Sequence, residues 1–129
     1  MRLLGAAIGG LLVFASVVHA SPDNVGELAG TWQGVGGIGD GPAETVEWTI
    51  DSAGSVSVTI SPSKGKPIRF NGQLRIDDGQ LLYASASALI KLEFIPGSPR
   101  KLKGNGTIEM GKKRTWLDIS EVVGQEAKQ

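Results

Sequence analysis

From Leu28 onward, apolar and polar residues alternate along the chain with a period of two. Val46, Trp48 and Ile50 would share one face of a strand, and Thr45, Glu47 and Thr49 the other. Such alternation, rich in β-branched residues, is typical of strands that bury one face. The pattern predicts about eight strands and no helix in this part of the chain, with strands over 29–36, 44–50, 55–61, 67–76, 80–85, 88–95, 101–109 and 113–121.

Turn-forming residues separate the predicted strands. Asp77-Asp78-Gly79 contains the Asp-Gly pair of a tight hairpin, and we interpret its two carboxylates as turn residues rather than as a calcium site or an acid pair. Because every connection is short, consecutive strands should pair antiparallel as a meander. Such a meander tends to curl and close, since closure removes exposed edges. We predict an all-β fold that forms a small barrel or a strongly curled sheet, with a two-sheet sandwich as the alternative.

The first twenty residues have the layout of a secretory signal peptide. Arg2 precedes an apolar stretch that is shorter than the ~20 residues a spanning helix needs, and Val18-His19-Ala20 suits a cleavage site. We expect export to the periplasm or the exterior and no membrane span after processing. The expected organisation is a signal peptide over 1–20, a flexible lead-in over 21–27, one domain over 28–123 and a tail over 124–129.

Composition narrows the chemistry. The chain has no cysteine, and its one histidine, His19, lies in the predicted leader. The processed chain would therefore lack thiol nucleophiles, imidazole bases and the Cys and His ligands of metal sites. The full chain has 13 basic and 13 acidic residues, and this balance gives no bulk attraction for nucleic acid. We expect no enzyme, no catalytic residue, no metal and no cofactor, although a carboxylate hydrolase built from Asp40, Glu93 or Asp118 stays open.

Residues 34–39, Gly-Val-Gly-Gly-Ile-Gly, match the letter pattern of a dinucleotide-binding loop. That loop needs a helix directly after it, because the helix N-terminus holds the pyrophosphate. Here Asp40-Gly41-Pro42 follows, and then a strand-like segment. We interpret the glycines as a bend in the first strand and its exit loop, with a lid over one end of a barrel as an alternative.

The residues Gly30-Thr31-Trp32, at the start of the first predicted strand, resemble the opening Gly-x-Trp motif of the lipocalins and the wider calycin group, which includes avidins and fatty-acid-binding proteins. With the strand count and order, this resemblance implies a calycin-like barrel. In that group the tryptophan packs under the closed end, against a basic side chain from late in the chain. The resemblance therefore implies that Trp32 forms the floor of the barrel and that Arg114 covers its ring, with Arg100 as the alternative.

A barrel of this kind would act as a non-enzymatic binding module that holds a small apolar or amphipathic molecule. We expect Trp48, Phe70, Tyr83 and Phe94 to line its interior. The small residues of the segment 83–88 would either leave volume free for a ligand or simply pack against bulky neighbours.

The alternative function is a protein-interaction or inhibitor-type domain with a filled core. Its contact surface would be the 36–42 loop or a basic set on the last two strands, comprising Lys101, Lys103, Lys112 and Lys113 with Arg114. These charges would either protect strand edges and keep the protein soluble, or bind an anionic ligand or an acidic protein partner.

Overall fold

The computed structural model describes residues 22–123. Eight antiparallel strands form a meander in which the last strand pairs with the first, so the sheet closes into a barrel. The strands are β1 (Gly30–Ile38), β2 (Glu44–Ile50), β3 (Ser55–Ser61), β4 (Ile68–Asp77), β5 (Gln80–Ala84), β6 (Leu89–Ile95), β7 (Lys101–Ile108) and β8 (Lys113–Glu121), preceded by the 3₁₀ helix η1 (Val25–Leu28).

The prediction of an all-β antiparallel meander of eight strands is confirmed, and the barrel is closed rather than an open sheet or a sandwich. Residues 25–27, expected in a flexible lead-in, instead belong to η1, and Val25 packs against the core. The predicted signal peptide over 1–20 and the tail over 124–129 lie outside the described residues.

The period-two alternation of the sequence separates the inside of the barrel from the outside. Trp32 pairs with Trp48, which in turn pairs with Val58, so one interior row crosses three strands. Within residues 22–123 every fully buried side chain of the core is apolar. The core comprises Leu28, Trp32, Val46, Trp48, Ile50, Val56, Val58, Leu74, Leu81, Tyr83, Ile90, Leu92, Leu102, Leu117 and Ile119.

The glycines of β1 and β7 allow neighbouring strands to approach closely. A Cβ on Gly34 would lie 2.1 Å from the carbonyl oxygen of Asp118, and a Cβ on Gly106 would lie 2.1 Å from that of Leu89. Only glycine fits where another backbone comes this near. The interpretation of Gly34 and Gly36 as strand residues is confirmed, since β1 runs to Ile38 and β2 is the next regular element.

The tight turn at Asp77-Asp78-Gly79 has the predicted hairpin geometry. Asp78 has φ of 52° and Gly79 has φ of 76°, and these two residues alone connect β4 with β5. Positive φ at both central residues is the requirement of the two-residue turn that matches strand twist, and Asp-Gly supplies it at low cost. The two carboxylates are therefore explained by the turn.

The barrel has two unlike ends. We call the mouth the end formed by the loops 39–43, 62–67, 85–88 and 109–112, and the floor the end formed by η1 and the turns 51–54, 78–79 and 96–100. In the described part of the chain, no helix has the length and apolar character needed to cross a bilayer.

Candidate functional site

The floor is built around a completely buried tryptophan. Trp32 is 0% exposed, and its indole Nε1 donates a hydrogen bond to the carbonyl oxygen of Leu28 at 2.9 Å. Leu28 ends η1 and is itself fully buried, so the short helix lies across the end of the barrel as a plug. Trp32 therefore lies at the floor of the barrel, as expected from the resemblance.

Arg100, not Arg114, covers the Trp32 ring. The guanidinium carbon of Arg100 lies 5.4 Å from the ring centroid, within the range of a cation–π interaction. Arg114 pairs with Thr107 near the mouth, seven residues along β8 from Glu121, the partner of Trp32. At about 3.3 Å per residue this places Arg114 roughly 23 Å from the floor. The expectation for Arg114 is wrong because β8 starts at the mouth and only ends at the floor.

The guanidinium of Arg100 joins three parts of the chain. Its Nε and Nη2 each donate to the Glu121 carboxylate at 2.7 Å, and Nη1 donates to the carbonyl oxygen of Glu27 in η1 at 2.9 Å. Hydrogen bonding to Arg100 lowers the pKa of Glu121, and the same bonds raise the pKa of Arg100. The floor is thus fixed by charge-assisted bonds, which are stronger than neutral ones.

Above the floor, a cavity of about 330 Å³ opens toward the mouth. Residues of all eight strands and of the mouth loops line it, and most of the lining is aliphatic or aromatic. The lining comprises Gly36, Gly37, Ile38, Glu44, Val46, Trp48, Ile60, Ile68, Phe70, Tyr83, Ser85, Ser87, Ala88, Ile90, Ile108, Glu109, Thr115, Trp116 and Leu117.

Small residues on the inward face account for the shape of the cavity. The Tyr83 ring lies directly against Gly72, where an added Cβ would come within 2.4 Å of it. Ser85, Ser87 and Ala88 place little side-chain volume along the next part of the wall. Of the two interpretations of the segment 83–88, the geometry matches the one in which small side chains leave volume free.

Trp48 and Tyr83 form the aromatic wall of the cavity. Their ring centroids are 4.9 Å apart and the ring planes are tilted by 40°, a favourable arrangement for an aromatic pair. Burial raises the pKa of the Tyr83 phenol above its ordinary value, and a hydrogen bond with Ser85 partly opposes this. The phenol therefore stays neutral at physiological pH and can offer a hydrogen bond beside an apolar surface.

Three of the four expected lining residues meet in the cavity. Trp48, Phe70 and Tyr83 line it, with Phe70 near the mouth and 43% exposed. Phe94 does not line it: it pairs with Leu102 near the floor and packs against the core there. Alternation correctly predicted the inward face for Phe94, but Phe94 comes at the floor end of β6, below the empty volume.

Several lining residues were not among the sequence candidates. Val46, Ile60, Ile68, Ile90 and Leu117 alternate in phase with the aromatic residues, so the same pattern predicts that they face inward. The alternation predicts which face a residue lies on, but it does not predict how far along the barrel axis the residue lies from the closed end.

The mouth side of the cavity carries its polar groups. Glu44 begins β2, faces the cavity and is half-buried, and among residues 22–123 it forms no salt bridge. Thr115 donates to the carbonyl oxygen of Gly37 at 2.8 Å, so that hydroxyl is already partnered. The cavity is therefore apolar in its depth and mixed at its opening, where Ile38, Ile68 and Phe70 lie beside these polar groups, and this arrangement suits an amphipathic ligand.

The proposed basic set does not form one surface. Lys101 pairs in register with Ser120, and Lys113 pairs with Ile108 at the opposite end of the same two strands. Antiparallel pairing puts the starts of β7 and β8 roughly 23 Å apart, at about 3.3 Å per residue. Lys101 and Lys103 belong to the floor half, whereas Lys112, Lys113 and Arg114 belong to the mouth, so the expected single cluster is wrong.

The carboxylates considered for a hydrolase do not converge on the cavity. Glu93 and Asp118 both register with Lys103 on the outer wall, and Asp40 lies in a mouth loop. Over the described range, no three acidic or histidine side chains come close enough to hold a metal ion.

Comparisons with known proteins found no family model, no curated protein and no solved structure that matches this chain.

Proposed function

We propose that this protein is a non-enzymatic binding module that holds a small apolar or amphipathic molecule inside its barrel, outside the cytoplasm. The cavity of about 330 Å³ above the floor carries this proposal. Ligand pockets in proteins span about 300–1,000 Å³ and are mostly apolar with a few placed polar groups. The cavity is at the small end of that range, which favours a compact ligand or one hydrocarbon chain.

The polarity of the lining sets the orientation of the ligand. Its apolar part would contact Trp48 and Tyr83, where each Å² of apolar surface removed from water is worth about 25 cal/mol. Its polar part would lie near Glu44 and the two serines of the β5–β6 loop. A neutral or cationic group with hydrogen-bond donors fits that end best, because Glu44 supplies only acceptors when ionised.

The floor supports a calycin-like description of the barrel. The Gly-x-Trp motif, the buried Trp32 and the arginine over its ring correspond to the arrangement that the resemblance implies. The leader-like residues 1–20 support export to the periplasm or the exterior. A domain that works only through its surface, with a filled core, would not require this cavity.

Titration with a neutral fluorescent probe, N-phenyl-1-naphthylamine, tests the proposal. We expect saturable enhancement of probe fluorescence together with a change in tryptophan emission, since Trp48 and Trp116 line the cavity. The variant Ala88→Phe fills the cavity and should weaken probe binding at least tenfold. Leu89→Phe is the matched control, because the adjacent residue does not line the cavity and is 50% exposed.

A flat titration of the folded wild-type protein would remove the proposal. Equal loss of probe binding in Ala88→Phe and Leu89→Phe would place the probe outside the cavity and would also count against it. Thermal melts of both variants establish that each is folded.

A further inference from the structure

The mouth exposes an unusual share of large apolar side chains. Of seven such side chains exposed in residues 22–123, five lie at the mouth, and the other two are Val35 and Val123. We call these five the rim: Ile38, Ile68, Phe70, Leu89 and Met110. Scattered exposed apolar residues are ordinary, but a group around one opening indicates a contact surface.

Met110 is the most informative residue of the rim. It is 84% exposed and has φ of 59°, between Glu109 at 53° and Gly111 at 89° in the β7–β8 turn. The left-handed region suits glycine, asparagine or aspartate, so a methionine there improves neither the turn nor the core. A residue kept in a strained and exposed position points to a function for its side chain.

The charges of the molecule are divided between its ends. The mouth loops, with two strand residues on either side of each, hold six basic and three acidic residues, a formal charge of +3. The rest of residues 22–123 holds five basic and nine acidic residues, a formal charge of −4. The basic residues of the mouth are Lys64, Lys66, Arg69, Lys112, Lys113 and Arg114, and the acidic ones are Asp40, Glu44 and Glu109.

We propose that the mouth docks on the surface of an anionic phospholipid bilayer. The rim side chains would enter the boundary between headgroups and acyl chains, and the surrounding lysines and arginines would contact lipid phosphates. Long basic side chains can keep their charge at the headgroups while their stems lie along apolar surface. The asymmetric charge turns the mouth, and not the floor, toward a negative surface.

A bilayer fits the mouth better than an acidic protein does. Three rim residues, Ile38, Ile68 and Phe70, line the entrance of the cavity, so the centre of the mouth is concave and offers no flat surface against which a protein could pack. Acyl chains can fill such a concave entrance along its apolar side chains, and in that position the cavity opens directly toward the hydrocarbon. The docking itself does not depend on whether the cavity holds a ligand.

Vesicle co-sedimentation of the processed protein tests the docking. We expect binding to vesicles that contain phosphatidylglycerol, weaker binding at high salt, and at least tenfold weaker binding to pure phosphatidylcholine. Met110→Asn should reduce the binding about tenfold, as expected when one methionine side chain no longer leaves water. Asparagine tolerates the left-handed backbone, so this variant should fold at least as well as the wild type. Val35→Thr, on the outer wall, should bind like the wild type.

Two charge-reversal pairs form a second matched comparison. Lys112→Glu with Lys113→Glu changes the mouth, and Lys101→Glu with Lys103→Glu makes the same charge change in the floor half. Each pair contains one lysine with an ion-pair partner at 3.6 Å, Glu109 for Lys113 and Asp118 for Lys101. The mouth pair should abolish measurable vesicle binding, and the floor pair should retain most of it.

The docking proposal is overturned if the wild type does not bind phosphatidylglycerol vesicles. This holds also if the wild type binds an acidic protein instead. Equal binding by Met110→Asn and the wild type, or equal losses from the two charge-reversal pairs, would also overturn it. Probe titration of Met110→Asn in solution reports on the cavity separately, because Met110 is not one of its lining residues.

Discussion

The floor and the mouth of this barrel follow opposite rules. At the floor, Trp32 is fully buried, its indole N–H has a partner, and Arg100 and Glu121 satisfy each other. At the mouth, large apolar side chains meet water, Met110 occupies a backbone conformation that favours other residues, and Glu44 lies beside an empty volume. At the floor, apolar side chains are buried and polar groups are paired, as in a well-packed core. At the mouth, apolar side chains are exposed and the backbone at Met110 is strained.

Under the proposed function, the floor supplies stability and the mouth supplies binding. Proteins depart from good packing and low strain where binding or catalysis demands it, and they compensate elsewhere. Because β1 pairs with β8, the mouth can stay open without exposing sheet edges. Substitutions at the floor should therefore change the free energy of unfolding, and substitutions at the mouth should mainly change binding.

The largest expected effect is at the centre of the floor. Trp32→Ala should lower the free energy of unfolding by about 3–5 kcal/mol, because it removes a fully buried ring and leaves a cavity. Phe70→Ala at the mouth should cost only about 1 kcal/mol, since that ring is nearly half exposed and borders an empty volume. Urea unfolding measures both. Similar losses of unfolding free energy in the two variants would contradict the difference between floor and mouth.

Replacing each of the two candidate arginines by alanine tests the same contrast between floor and mouth. Arg100→Ala should destabilise the protein by about 2–4 kcal/mol, because it removes two bonds to Glu121, one to η1 and the cover of the Trp32 ring. Arg114→Ala should change stability by less than about 0.5 kcal/mol, as exposed surface substitutions usually do. Equal effects would mean that Arg100 does not stabilise the floor as its contacts indicate.

Much of the fold follows from local properties of the sequence. Alternation separated inward from outward residues from Val46 to Ile119, and turn residues such as Asp78-Gly79 placed the hairpins. Both signals act between near neighbours, so they can be recognised without knowledge of the tertiary structure. The closure of β1 against β8 is non-local, but the cost of free edges makes it the expected outcome for such a meander.

Position along the barrel axis was harder to predict. The pattern predicts the strands of Phe94 and Arg114 but not their height along the axis, and it does not show that antiparallel pairing separates the lysines of β7 from those of β8. Which end closes depends on η1 and on the salt bridge between Arg100 and Glu121, contacts between residues distant in sequence. The hydrophobic periodicity of the sequence does not predict these long-range contacts. It does not predict the strained backbone conformation of Met110 either.

Acid should weaken the floor in a way that depends on Glu121. The folded state lowers the pKa of Glu121 below its ordinary value of 4.5, so the ionised form stabilises the fold. This contribution is present above pH 4.5 and is lost as the pH falls through the lower folded pKa. Glu121→Gln should be less stable at neutral pH and show a smaller loss on acidification. An unchanged acid slope in urea unfolding would contradict the role of this pair.

The smallest expected effect reports on the open end. Tyr83 is the single tyrosine of the chain, so its phenolate absorbance can be followed without interference from another tyrosine. Burial raises its pKa above 10.0, which means that the neutral phenol stabilises the fold below that pH and the contribution is lost as the pH rises through the folded value. An apolar ligand that fills the cavity excludes more water from Tyr83 and should raise the pKa further, whereas a ligand on the outer wall should leave it unchanged. A titration with and without N-phenyl-1-naphthylamine distinguishes these cases, because only occupation of the cavity alters the surroundings of a side chain that bulk solvent barely reaches.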